Sequence, residues 1–277
     1  MGLVRLLRRL AVRSCAVALA ITVVGMSGLA MEVVGRAPHE SPTAVGAAPA
    51  AIVDYLAARS GAAAIAVYDA GDGSTWASSD TSFVSASVVK LAIIEGLLFV
   101  AQQQHRDLTT QEQARAVAMI SSSDNDAASA LWRYLGSAPG MKAILVALGA
   151  TNTVPAPKGE WGLTTTTASD QVTLVRLVAY RNPILDDASR SVAADLLAGV
   201  VPAQRWGVSA GVATDASVRL KNGWLPTATG WVVNSVGYVT GGGTDYVVAV
   251  LTRDNPTEDY GIRTVEGLST MLGRLTS

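Results

Sequence analysis

Ser85-Ala-Ser-Val-Val-Lys-Leu-Ala-Ile-Ile-Glu-Gly-Leu-Leu-Phe-Val100 is the stretch on which the reading of this chain turns. It has the length of a helix and is apolar on nearly every side, which predicts a helix buried at the centre of a domain and too short to span a bilayer. Its first turn nevertheless carries Ser87 and Lys90, three residues apart and so on one face, at the end where the helix dipole disfavours positive charge. Burial and a helix N-terminus both lower a lysine's pKa, so Lys90 could act as a neutral amine that takes the proton of the Ser87 hydroxyl. Of the 21 Lys and Arg residues only Lys90, Lys142, Lys158 and Lys221 are lysines, and arginine could not serve as such a base. Taken alone, Ser-x-x-Lys has a plainer reading, in which Ser87 caps the helix and Lys90 runs its amine out to water.

Working outward, the chain of 277 residues is 49% apolar and 16% charged, which suits one large domain or two interlocked ones with a sizeable core. The net charge is −1, and setting aside Arg5, Arg8, Arg9 and Arg13 leaves −5 for the remainder, so no nucleic-acid partner is expected. Those four arginines followed by the apolar run Ser14–Ala30, ending in Gly28-Leu29-Ala30, read as an export signal over residues 1–30. Retained, the same run would be a single-span anchor, and it would be the chain's one tie to a membrane. Either way the protein is expected outside the cytoplasm, secreted or held at the outer face of the membrane. Cys15 lies within the apolar run, so the rest of the chain has no thiol for disulfides, nucleophilic chemistry or metal ligation.

Residues 31–49, with Pro38, Pro42, Pro49 and many small residues, predict a linker, and residues 50–277 the folded domain. The patterns predict a helix over Ala50–Arg59, strands over Ala62–Asp69 and Ser74–Ser79, and then the buried helix. A helical block follows over Gln111–Ser121, Asp126–Leu135, Met141–Leu148, Ser169–Tyr180 and Ser189–Val200, with no strand-like alternation inside it. Strands return at Val218–Lys221, Trp231–Val239 and Tyr246–Thr252, with turns expected at Asn222-Gly223 and Gly241-Gly242-Gly243, and a helix closes the chain from Glu258 to Leu275. The order predicts an α+β fold, an α/β sandwich in which an antiparallel sheet from both chain ends is flanked by helices, with an all-helical subdomain inserted. A cleft would lie between the two parts.

Two further stretches carry chemistry. Ser123-Asp124-Asn125 sits in a helix-helix break, where alone it reads as an N-cap with Asp126 completing a capping box. Lys221-Asn222-Gly223 reads equally well as a hairpin turn, although Trp224 and Pro226 fit a turn poorly. Gly207-Val-Ser209-Ala-Gly211 matches a nucleophile-elbow pattern, but no strand precedes it and no histidine follows, so it reads as a loop. The two histidines, His39 and His105, supply neither a Ser-His-Asp triad nor a zinc site.

Taken together and in order, Ser87-x-x-Lys90, Ser123-Asp124-Asn125 and Lys221-x-Gly223 resemble the motifs of class A β-lactamases and the serine penicillin-binding proteins. Leu148-Gly149 and Thr164-Thr165-Thr166-Thr167-Ala168 are similar to the family as well, and the resemblance runs from about Ala50 to the end. It implies an acyl-enzyme on Ser87, with Lys90 as proton acceptor, Ser123 passing a proton to the leaving nitrogen and Lys221 supplying positive charge. Asn125, Asn222, Gly223 and Trp224 would bind substrate, with the backbone N–H groups of Ser87 and Trp224 as oxyanion donors. The implied substrates are β-lactams or the D-Ala-D-Ala end of cell-wall peptide, taken by a monomer without metal or cofactor; a binding domain that keeps the fold without the activity is the alternative. The sequence departs from the family at Asn222, where a small hydroxyl is usual. It departs again at Glu160-Trp-Gly-Leu-Thr164, which matches the family's deacylating-glutamate pattern only with Thr164 in place of asparagine and with the second half of the loop largely missing.

Overall fold

The computed structural model describes residues 45–275, and in it both halves of the chain supply strands to one sheet. The N-terminal part runs β1 (Gly46–Ala47), α1 (Ala50–Ala57), β2 (Ala62–Asp69), β3 (Thr75–Ala77) and β4 (Phe83–Val84). A 3-10 turn at Ala86–Val88 leads into α2 (Val89–Gln103), followed by α3 (Thr110–Ser121), α4 (Asn125–Tyr134) and α5 (Ser137–Ala147). After a second 3-10 turn at Trp161–Leu163 come β5 (Thr165–Thr166), α6 (Ala168–Ala179) and α7 (Asp187–Ala198). The chain then adds β6 (Ser217–Thr227), β7 (Gly230–Gly241), β8 (Thr244–Arg253) and α8 (Glu258–Leu275).

The sheet order is β1-β3-β2-β8-β7-β6, antiparallel except where β1 joins β3. This is the expected α+β sandwich with the helices inserted between β3 and β6. β8 is covered on both faces, which is why Tyr246-Val-Val-Ala-Val-Leu251 reads as a continuous apolar run. On β7 the two faces part company. A Cβ on Gly261 of α8 would strike Val233, whereas the Asn234 side chain reaches the segment just before Ser87. α8 and α1 therefore pack on one face and the site builds on the other.

α2 is buried on all sides, as its composition requires, with Lys90 and Glu95 fully buried among its apolar residues. From Ala86 to Gln103 the helical stretch is long and apolar enough to cross a membrane by length and composition, which corrects the expectation that it is too short; its place is the core. Burial pushes the Glu95 carboxyl well up, so it sits there neutral. α3 begins with a capping box of Thr109 and Glu112, and Arg106 bonds the same carboxylate and holds it down to about 2.

Several expectations need correction. The linker's end is not plain coil, because Gly46–Ala47 form β1 against β3. The helical block contains a strand, since β5 pairs with β4 and so fastens the loop before α6 to the segment before Ser87. Asn222-Gly223 makes no turn: β6 continues through it, paired with β7 from Ser217↔Thr240 to Thr227↔Gly230, and the reversal comes at Ala228-Thr229. The cap of α4 is Asp124 alone, accepting from Ala127 N. The signal or anchor read over residues 1–30 lies outside the described residues.

Candidate active site

Ser87 sits on a turn that three hydrogen bonds pin. Asn234 Nδ2 on β7 donates to both Val84 O and Ser85 O, at 2.9 Å each, and Ser85 N donates to Thr164 O at 2.8 Å. Ala86 takes a left-handed φ of 48°, which turns the chain sharply before the helix. Ala86 and Val88 are buried while Ser87 is only partly so. The edge strand β6 comes hard against this turn at Gly223. A Cβ there would lie 2.5 Å from Ser87 N and 2.7 Å from Val88 N, so only glycine allows the approach. Next along, Trp224 stands opposite Val233, which bonds to Thr252 on β8; by the alternation of the ladder, the Trp224 N–H turns out from the sheet edge.

The motif at the α3–α4 junction meets α2 through a strained residue. Ser123 has φ 61°, and that left-handed turn aims both its carbonyl and its hydroxyl at Lys90. Lys90 Nζ donates to Ser123 O at 2.6 Å, Ser123 Oγ at 2.9 Å and Asn125 Oδ1 at 2.8 Å. Lys221, also fully buried, donates to Asn222 O at 2.7 Å and to Ser123 Oγ at 3.2 Å. Two amines thus occupy the two acceptor positions of one hydroxyl, which leaves the Ser123 O–H to donate away from them.

Two buried cations side by side are costly unless they can shed a proton. Burial lowers the Lys90 amine to about 8, partly offset by Asp124. Burial and then the charge of Lys90 lower Lys221 to about 7. The pair therefore resists carrying two full charges near neutral pH, and of the two amines Lys221 is lowered further.

The remaining candidates divide. Asn222 is buried with both amide hydrogens taken, donating to Gln204 O at 2.9 Å and Trp206 O at 2.8 Å. It ties the 202–206 segment to β6 and offers no free donor for a substrate carboxylate. Trp206 and Trp224 stack edge to face at 5.7 Å between ring centroids. Glu160 does not join the cluster: it is exposed and makes no side-chain hydrogen bond among the described residues, while Thr164 is buried and closes the loop by accepting from Ala156 N. The residue that turns inward is the next one, Trp161, whose ring centroid lies 4.8 Å from Lys90 Nζ and whose Nε1 donates to Ser129 Oγ at 3.0 Å. Sequence reasoning missed Trp161 and Asn234. An indole inside the short loop and an amide inside an apolar strand were the signals available. Gly207–Gly211 is a loop, as expected, with Ser209 bonded to Arg205 O.

A model of the beta-lactamase enzyme family matches residues 113–274, more than half of the chain. The chain belongs to that family. Among curated proteins it is similar to LppW of Mycobacterium tuberculosis, a protein named as a lipoprotein. The two are 27% identical over 222 residues, which cover 74% of this chain and 68% of that one. Among solved structures it is similar to a class A beta-lactamase from Mycobacterium abscessus, at 21% identity and a TM-score of 0.69, over 82% of this chain and 98% of that one. A structure of PBP-A gives 21% identity and a TM-score of 0.70, over 81% and 94%. At these identities the solved structures establish the family's fold for this chain, and the chemistry rests on the residues described above.

Proposed function

We propose that this family member is an exported serine hydrolase that forms an acyl-enzyme on Ser87 with a β-lactam or a D-Ala-D-Ala-type amide and releases it slowly. The observation that carries the reading is the meeting of Lys90 and Lys221 on the one hydroxyl of Ser123, one helical turn from Ser87, whose own hydroxyl bonds to neither amine among the described residues. Once Lys90 has shed a proton, and with it one of its three donated bonds, it takes the Ser87 proton as Oγ attacks the carbonyl carbon, and the N–H groups of Ser87 and Trp224 receive the developing oxyanion. The C–N bond then breaks as Ser123 gives its proton to the leaving nitrogen and regains one from the lysine pair. Asn125 and the Gly223-Trp224 edge flank the bound substrate. Water must later cleave the Ser87 ester, and here the chain supplies little: the loop's carboxylate, Glu160, is exposed, and an indole faces Lys90 instead.

Export is part of the proposal, supported by the arginine-then-apolar pattern of residues 1–30 and by a relative whose name is that of a lipoprotein. A fluorescent penicillin followed through attachment and release tests the reading. Stable labelling with release slower than attachment supports it. The absence of labelling after long incubation would favour the binding domain without activity.

A further inference from the structure

Lys90 is the one group of the site whose amine is reached from the loop before α6, and the contact there is a tryptophan. Trp161 is held by more than its own packing. Its Nε1 bonds Ser129 on α4, its 3-10 turn runs directly into Thr164, whose carbonyl takes Ser85 N, and β5 then pairs with β4. The indole is thus fixed relative to both the Ser87 turn and the Ser123 junction. We propose that Trp161 is a positioning residue for Lys90: its ring closes the amine's pocket against water and holds it toward Ser123 and Asn125.

The physical consequence concerns basicity. A ring face attracts a cation and would by itself favour the ammonium form. Burial nonetheless holds the Lys90 amine below its ordinary range, and the ring at 4.8 Å is part of what covers it. The other charged groups bearing on Lys90 are Asp124 at the α3–α4 junction, which stabilises its charge, and Lys221 on β6, which opposes it; Glu95 in the same helix is neutral through burial, and Glu160 beside the indole is exposed. Removing the ring while leaving these in place should rehydrate the amine and raise its pKa. Less neutral base is then present at pH 7, about tenfold less if the pKa rises from about 8 to about 9.

The test has two arms. In the first, tryptophan fluorescence of the whole protein is titrated from about pH 6 to about pH 10, a range that brackets the Lys90 amine. The proposal expects a step with its midpoint near 8 that is absent from both Lys90→Met and Trp161→Phe; a step that persists in either variant overturns it. In the second, the pH dependence of penicillin attachment is compared. Trp161→Ala should move the midpoint of the rise upward by about one pH unit, and Trp161→Phe, which keeps an aromatic cover, should return it; an unmoved midpoint in Trp161→Ala overturns the proposal. The second arm rests on the Ser87 reaction proposed above, whereas the first needs no reaction. Should penicillin never attach to the wild type, the function fails while the fluorescence step still decides the role of Trp161. The same step decides it if Trp161→Ala does not fold.

Discussion

The two sides of the Ser87 site are built in opposite ways. On one side, α2, the α3–α4 junction and β6 bring two fully buried lysines and a strained serine into a cluster in which every amine bond lies between 2.6 and 3.2 Å. On the other, the loop ending at Thr164 points its carboxylate to solvent and its indole inward. The first side costs stability, since it desolvates two cations and holds a serine at positive φ, and such costs persist where geometry is needed for chemistry. In that loop, residues 149–164, the acidic side chain is Glu160, which is exposed. The difference teaches that forming an acyl bond and breaking it are separable requirements, and that this chain is equipped chiefly for the first.

The comparison breaks most visibly if its dense side proves dispensable. Lys90→Arg or Lys90→Met should lower penicillin attachment by about 100- to 10,000-fold, the range of a lost general base, with the circular dichroism spectrum retained. Attachment at near wild-type rate in either variant would remove Lys90 from the chemistry. Next in size is Gly223→Ala. Its methyl would fall 2.5 Å from Ser87 N, so the turn must move; a displacement of about 1 Å is worth roughly 100-fold in attachment rate. The smallest effect sharpens the other side. Glu160→Gln should change both attachment and release by less than about twofold, because an exposed side chain with no bond to the site has little to lose. A release rate that collapses in this variant would show that the loop closes over the ester during turnover.

How much of this is legible in the sequence follows from the range of the interactions involved. Ser87, Lys90, Ser123 and Lys221 can be found because each announces itself locally, as a polar residue in an apolar helix, a break between helices or a rare lysine in a strand. β2 is legible to its ends because a short apolar run between the turn signals Ser60-Gly61 and Ala70-Gly71 decides it, and α8 because a period of 3.6 does. Asn222-Gly223 misleads because its local turn preference is real, and it is overruled by a ladder with β7 that extends to Thr227 on one side and Ser217 on the other. Trp161 is not legible at all. Its inward course depends on β4 pairing β5 and on Ser85 N meeting Thr164 O, contacts between segments far apart in sequence that no local pattern signals. Asn234 is a similar case: an amide in an apolar strand is visible, but not the turn that it pins.

The central claim is that the dense side of the site makes an ester on Ser87. The most direct test incubates the wild-type protein with penicillin, quenches it in acid at increasing times and maps the adduct by peptide mass spectrometry. The account predicts that the peptide carrying Ser87 gains the mass of the intact penicillin, that the adduct outlasts removal of free drug, and that Ser87→Ala abolishes it. An unmodified Ser87 peptide at every time, or an adduct of equal yield in Ser87→Ala, would contradict it.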